Sequence, residues 1–271
     1  MAIFGIDVSA WQGKIDWEKV SKAGVKFAML KAGGADDGYY EDSRFKYNYE
    51  QCKKLGIPVG AYYFTSRNCI TASQGRVEAQ KFLAIIKGCQ FEYPVAIDVE
   101  AQRASKSAIT TAVIAFCEEM ENNGYYVSVY GSTVAGFRDR MDTARLTAYD
   151  KWIADYRGAC YYTGNYGIWQ FSSKQRINGI SGNVDGDYCY KDYPTIIKNA
   201  KLNGFTGESK PKDEEKEPKK EEPVYHKIKK GETLSGIAKQ YKTTAKKIQK
   251  LNPDKIKDIN LIYAGDTIRV K

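Results

Sequence analysis

The stretch Ala96-Ile97-Asp98-Val99-Glu100 is an apolar run that ends in two acids at positions i and i+2. An extended strand points such a pair toward one face and spaces it by roughly 6.6 Å. That is near the carboxylate separations of glycosidases, about 5–5.5 Å for retention and about 6.5–9.5 Å for inversion, so both outcomes fit. Two like charges at the end of a sheet-interior strand make each other costlier to ionise, which marks the pair as functional. A strand simply running out into solvent at Asp98 would read the same way, so the surroundings have to decide.

Composition removes most competing chemistries. The chain has one histidine, His226, far in sequence from every other candidate. Zinc amidases and peptidases need imidazole ligands, and Ser-His or Cys-His hydrolases need an imidazole base, which leaves carboxylate chemistry for hydrolysis. Six cysteines (Cys52, Cys69, Cys89, Cys117, Cys160 and Cys189) form no C-x-x-C pair, so they read as reduced thiols; no metal or cofactor is called for. The start, Met1-Ala2-Ile3-Phe4-Gly5-Ile6-Asp7, enters a strand without the basic and apolar segments of an export leader. No run approaches the ~20 apolar residues of a membrane span. The expectation is a chain made in a cytoplasm, with no membrane partner.

A length of 271 residues with 42% hydrophobic content allows one large core and a small second domain. Residues 206–223, TGESKPKDEEKEPKKEEP, contain no aromatic or aliphatic residue but three prolines, and read as a semi-extended linker of net charge −2. Residues 224–271 carry a net +8 and residues 1–205 only +3. A polyanionic partner such as a cell wall suits that tail, and so does the plainer reading that the lysines keep a small domain soluble. Nucleic acid does not, because Tyr225, Tyr241 and Tyr263 are its only stacking aromatics.

In residues 1–205, strand-like runs fall at 3–8, 26–32, 58–64, 93–99, 125–130, 151–155, 166–171 and 179–185. Amphipathic stretches near 16–24, 42–54, 72–87, 105–123 and 133–143 separate the early ones, the alternation of parallel β/α units. Residues 172–178 are too few for a parallel crossover, so the last two strands form a hairpin. The expected fold is α/β, a modified TIM-like barrel of five β/α units plus three closing strands. Barrel chemistry sits at the C-terminal ends of strands. Asp7 ends strand one, Asp98 and Glu100 end strand four, and Asp185 ends strand eight, which closes against strand one. Four acids then face one mouth, and crowding raises a carboxyl pKa far enough to keep a proton for a leaving oxygen. Taken singly, Asp7 also reads as a turn into Ser9, and Asp185 as part of a turn at Val184-Asp185-Gly186-Asp187.

Six segments, in order, resemble glycoside hydrolase family 25, the lysozymes of the Chalaropsis type. They are Asp7-Val8-Ser9-Ala10-Trp11-Gln12-Gly13 with Ile15-Asp16-Trp17, Leu30-Lys31-Ala32, Gly60-Ala61-Tyr62, Ala96-Ile97-Asp98-Val99-Glu100, Trp152-Ile153-Ala154 and Ile168-Trp169-Gln170-Phe171. The resemblance implies cleavage of the β-1,4 bond between N-acetylmuramic acid and N-acetylglucosamine in peptidoglycan. It makes Glu100 the general acid and Asp98 the carboxylate that stabilises the oxocarbenium-like state or orients the substrate's acetamido group. Asp7 and Asp185 become supporting acids. Tyr62, Tyr130, Trp152 and Trp169 match aromatic positions around the cleft, and Lys31 is a hydrogen-bond donor to substrate. Members often carry His where this chain has Tyr63, which is counted with the substrate-binding residues.

Residues 224–271 resemble a LysM module: a strand over 224–228, a helix from the Gly231–Ala238 segment, a second short helix to Leu251, and a strand over 267–270. That resemblance implies binding of N-acetylglucosamine-containing glycans by the loop holding Gly231, Thr233 and Leu234 and by the loop near Pro253, Leu261 and Ile262. The combined expectation is a monomeric peptidoglycan muramidase with a wall-binding tail, of the phage or prophage endolysin kind, made in the host cytoplasm and acting on the wall after release. An exported bacterial autolysin and a catalytically silent glycan-binding barrel are the alternatives. A chitinase is not, because the D-x-x-D-x-D-x-E strand motif is missing around Asp98.

Overall fold

The computed structural model describes residues 2–205, 224–241, 243–258 and 261–270. The stretch 206–223, read as a linker, lies outside the described residues. The chain divides into two compact units, the break falling within that stretch of sequence.

The first unit opens with β1 (Ile3–Val8), α1 (Trp17–Lys22), β2 (Ala28–Gly34) and a short β3 (Tyr40–Glu41). It continues through α2 (Phe45–Leu55), β4 (Val59–Phe64), α3 (Ala72–Ile85), β5 (Val95–Asp98), α4 (Lys106–Asn122) and β6 (Val127–Ser132). It ends with β7 (Asp150–Ala154), β8 (Ile168–Gln175), β9 (Val184–Cys189) and α5 (Tyr193–Asn199). Side chains that prefer turns start the helices: Asp16, Thr71, Ser105 and Asp192 each accept a backbone N–H of the first turn. Gly56 ends α2 at φ 68°, a left-handed conformation in which a Cβ is costly.

The strands run in the order β1-β9-β8-β7-β6-β5-β4-β2, and β1 pairs back onto β2, so eight strands close a barrel. All neighbours are parallel except β9, which is antiparallel to both β8 and β1. The α/β barrel and its closing hairpin are as the sequence predicts. Three details differ. The eighth strand is 184–189 rather than 179–185, because Gly179 and Gly182 take φ 102° and 90° and turn the chain just before it. Residues 133–138 make a π-helical turn and 143–146 a short 3-10 segment in place of a helix over 133–143; Ser132 caps the π turn by accepting the Gly136 N–H at 3.1 Å. The helix α5 has no counterpart in the sequence reading.

Period-two alternation splits the side chains. Ile6, Val8, Leu30, Ile97 and Val129 pack outward with Phe45, Phe82 and Phe116 of the helices. Phe27, Met29, Ala96, Trp152 and Ile168 fill the interior. A Cβ on inward-facing Gly5 would stand 2.3 Å from the Phe27 ring, so glycine there admits the phenyl group, which stacks on Tyr93 at 4.3 Å.

The second unit is β10 (Tyr225–Lys227), α6 (Leu234–Gln240), α7 (Ala245–Leu251) and β11 (Thr267–Arg269), with the two strands antiparallel. Its core holds Ile228, Leu234, Ile237, Ile248, Ile256, Ile268 and Val270. The Asn252 side chain braces it, donating to the Ile248 and Arg269 carbonyls at 2.7 Å and accepting the Arg269 N–H at 2.8 Å.

Candidate active site

The register carries the acids to one end of the barrel. Asp7 lies beside Asp185 on β9, and Asp98 beside Phe64 and Tyr130 on β4 and β6. Asp185 begins its strand instead of ending it; because β9 is antiparallel, its beginning meets the C-terminal end of β1. A cavity of ≈180 Å³ opens there, lined by Asp7, Asp98, Glu100 and Asp185 together with Lys31, Tyr62, Tyr130 and Trp152. Phe64 and Gln170 complete its wall. Through Glu100 and Tyr130 it continues into a groove of ≈550 Å³ that includes Thr133, Arg140, Tyr156 and Arg157.

Asp98 is buried and its main chain is fixed, since Thr65 donates to the Asp98 carbonyl from both N (3.2 Å) and Oγ1 (2.5 Å). Its Oδ1 has no hydrogen-bond partner. Burial first, and then the charge of Glu100, holds the Asp98 carboxyl well above the usual range, against the pull of Lys31 and Arg140. The Lys31 ammonium lies over the Phe64 and Tyr40 rings at 4.9 and 5.5 Å. It stands just before a register shift in the pairing of β2 with β4, the kind of irregularity that re-aims a side chain. Arg140 donates to the Gln102 and Val99 carbonyls at 3.1 and 3.4 Å. Glu100 lies past the end of β5 and is exposed at the rim.

Beneath these groups runs a network that the sequence reading missed. Tyr130 and Tyr156 donate their hydroxyls to Gln170 Oε1 at 2.8 and 2.5 Å, and Gln170 Nε2 donates to Asp7 Oδ2 at 2.7 Å. Trp152 Nε1 donates to Asp187 Oδ1 at 2.7 Å. Asp187 is fully buried and its Oδ2 has no donor. The Asp7 and Asp187 side chains are hydrogen-bonded to each other, which requires one of the two carboxyls to hold a proton. Burial pushes the Asp187 carboxyl up to about 8, and burial with the charges of Asp187 and Asp185 holds Asp7 well above its usual range. Asp185 rises to about 6, through burial and then the charge of Glu100.

Two predicted residues are elsewhere. Tyr63 is fully buried between β4 and the helices, against Phe82 and Phe116 at 5.5 and 6.2 Å; with Tyr62 facing inward, alternation sends its neighbour out. Trp169 also points away from the interior. Its Nε1 donates to the Asp155 carbonyl at 2.8 Å, and its ring meets Phe171 and Tyr188. Trp152 does line the cavity, but as a buried floor edge-on to Tyr62 and Tyr130 rather than as an open platform.

In the second unit Gly231 sits at φ 89° in an open turn. Thr233 Oγ1 accepts the Gly236 N–H at 3.2 Å. Leu234 is a core residue, so its side chain is not a surface contact, and half-buried Ile262 packs on the same core. Leu261 and Pro253 are exposed. His226 lies between Tyr241 Oη (3.1 Å) and Glu232 Oε2 (2.8 Å), an internal brace. Among the described residues no group of His, Cys, Asp and Glu is arranged to hold a metal ion, and no helix is long and apolar enough to cross a membrane.

Residues 6–180 match the model of glycosyl hydrolases family 25, and residues 226–271 match the LysM domain model. The autolytic lysozyme of Clostridium acetobutylicum is 31% identical over 185 residues, 68% of this chain and 54% of that one, so the chain spans about half the length of this relative. An endolysin of Bacillus phage B103 is 63% identical over 46 residues, 17% of each chain. Among solved structures, the CTP1L endolysin is similar with a TM-score of 0.64 at 28% identity, covering 72% of this chain and 69% of that one.

Proposed function

The chain belongs to glycosyl hydrolases family 25, and on that premise we propose that it hydrolyses the β-1,4 bond between N-acetylmuramic acid and N-acetylglucosamine in peptidoglycan. The observation that carries this reading is the single cavity shared by Asp7, Asp98, Glu100 and Asp185, with one buried oxygen of Asp98 left without a partner. Glu100, at the rim, protonates the glycosidic oxygen as the bond to the anomeric carbon breaks. The free Asp98 Oδ1 accepts the acetamido N–H of the sugar whose anomeric carbon reacts, and its carboxyl lies against the positive charge that develops there. Water then adds to that carbon and gives up a proton to the Glu100 carboxylate, which restores the acid. Asp7 and Asp185 support the negative field around it, while Lys31 donates to substrate and Tyr62 and Tyr130 shape the wall.

In this reading residues 1–205 are the catalytic barrel, 206–223 the tether, and 224–271 a glycan-binding module whose +8 charge favours an anionic wall. The protein acts as a monomer, of the endolysin kind, on the bacterial cell wall. Mass analysis of fragments released from Gram-positive walls tests the reading. Muropeptides ending in reducing N-acetylmuramic acid are expected. Reducing N-acetylglucosamine ends, or free stem peptides, would overturn it.

A further inference from the structure

Six large hydrophobic residues of the first unit stand out in solvent: Trp11, Tyr39, Tyr156, Tyr161, Tyr190 and Ile196. Single exposed aromatics need no explanation, but the placement of four of these does. Trp11 follows the C-terminal end of β1, Tyr39 that of β2, and Tyr156 and Tyr161 that of β7. In the closed order β2-β1-β9-β8-β7-β6-β5-β4, β2 and β7 are diametrically opposed. The exposed rings thus occupy two facing arcs of the rim that holds the acids.

The segments that carry the four are also anchored. Trp11, 92% exposed, rides on a turn closed by reciprocal bonds, in which Trp11 N donates to Ser9 Oγ (3.1 Å) and Ser9 N to Gln12 Oε1 (2.9 Å). Buried Asp42 accepts the Ala10 N–H at 2.9 Å, and Gly13 ends the turn at φ 65°. Tyr39 accepts from Gln74 at 3.0 Å, Tyr156 is tied by its hydroxyl to Gln170, and Tyr161 stacks under the Arg157 guanidinium at 4.6 Å. Each is tethered through backbone, hydroxyl or one face, and area is left open to water. Rigid exposed aromatic surface costs little further ordering when a flat apolar ligand face arrives.

We propose that Trp11 is a stacking platform for a pyranose ring of the glycan strand, and that the strand crosses the mouth from the β1–β2 rim to Tyr156 and Tyr161 on the β7 rim. This rests on the muramidase reading. The acids between the arcs then meet an internal bond of the polymer.

All four tryptophans, Trp11, Trp17, Trp152 and Trp169, precede residue 206, so indole fluorescence is blind to the tail module. The full chain carrying Glu100→Gln is titrated with soluble peptidoglycan glycan strands stripped of peptide. A blue shift with saturation is expected, and most of its amplitude is lost when Trp11→Phe is added, because Trp152 in the cavity is already buried. In the active protein, Trp11→Ala lowers kcat/KM on the same strands about tenfold, carried by KM, while Trp11→Phe keeps most of it. A blue shift that survives Trp11→Phe undiminished, or an unchanged KM in Trp11→Ala, overturns the platform while leaving the muramidase reading intact. Wild type that releases no reducing ends overturns both.

Discussion

The ends of β5 and β9 carry the same device built in opposite directions. Each presents two acids at i and i+2 to the barrel interior, Asp98 and Glu100 on one, Asp185 and Asp187 on the other. The parallel strand β5 runs toward the mouth, so its first acid is deep and its second reaches the rim. The antiparallel β9 runs away from the mouth, so its first acid is partly exposed and its second is fully buried. Direction alone therefore sets the depths: β5 carries its longer acid out to the rim, where the proposed reaction needs it, while β9 carries an acid down beside Asp7. Identical spacing in sequence does not mean identical depth.

The sharpest way to break this comparison is at its most exposed member. Glu100→Gln should cut reducing-end release from walls by about 10³-fold or more with the fold intact; a variant that keeps substantial activity removes the rim acid from the mechanism. Asp98→Asn comes next, with a loss on the order of 10²-fold expected mainly in kcat. An effect confined to KM would mean that Asp98 only binds. Asp185→Asn should cost about tenfold and reshape the pH profile. With its carboxyl raised to about 6, Asp185 is neutral below that pH and charged above it, so wild-type activity should climb through pH 6 and the variant should lack the climb.

Asp187→Asn has the smallest expected effect on activity, within about threefold, and a reversed effect on stability. The folded protein keeps a proton on Asp187 up to about pH 8, whereas the unfolded chain releases it near the ordinary aspartate value of about 3.9. Stability from this group is therefore complete at low pH and falls as pH rises through that window. The variant should melt a few °C above wild type at pH 8 and show a smaller difference between pH 5 and pH 8 in thermal scans. An undiminished difference would remove Asp187 from the proton-sharing pair.

Much of the site was legible because carboxylates at strand ends are conspicuous and a lone histidine excludes the common alternatives. Asp187 was missed because Val184-Asp185-Gly186-Asp187 has turn chemistry, and the glycines that make the turn lie earlier, at 179 and 182. The signal that could have found it was the same i, i+2 acid spacing that singled out Asp98 and Glu100. Gln170 carries no charge, and although it stands in the family segment Ile168–Phe171, nothing there named a role for it. Parity also accounts for the two misplaced aromatics. Tyr63 follows inward-facing Tyr62, and Trp169 precedes inward-facing Gln170, so neither could have reached the interior. The π-helical turn after β6 has no periodic pattern to read, since it depends on a close backbone approach between Gly131 and Gly136.

The missing side chain at Gly5 has a further effect. With Phe27 seated in that space and stacked on Tyr93, the barrel is stoppered below Asp7 and becomes a blind cup. No chain can be threaded through it, and whatever enters must leave by the same mouth. In the muramidase reading the glycan strand therefore lies across the opening and never through the barrel.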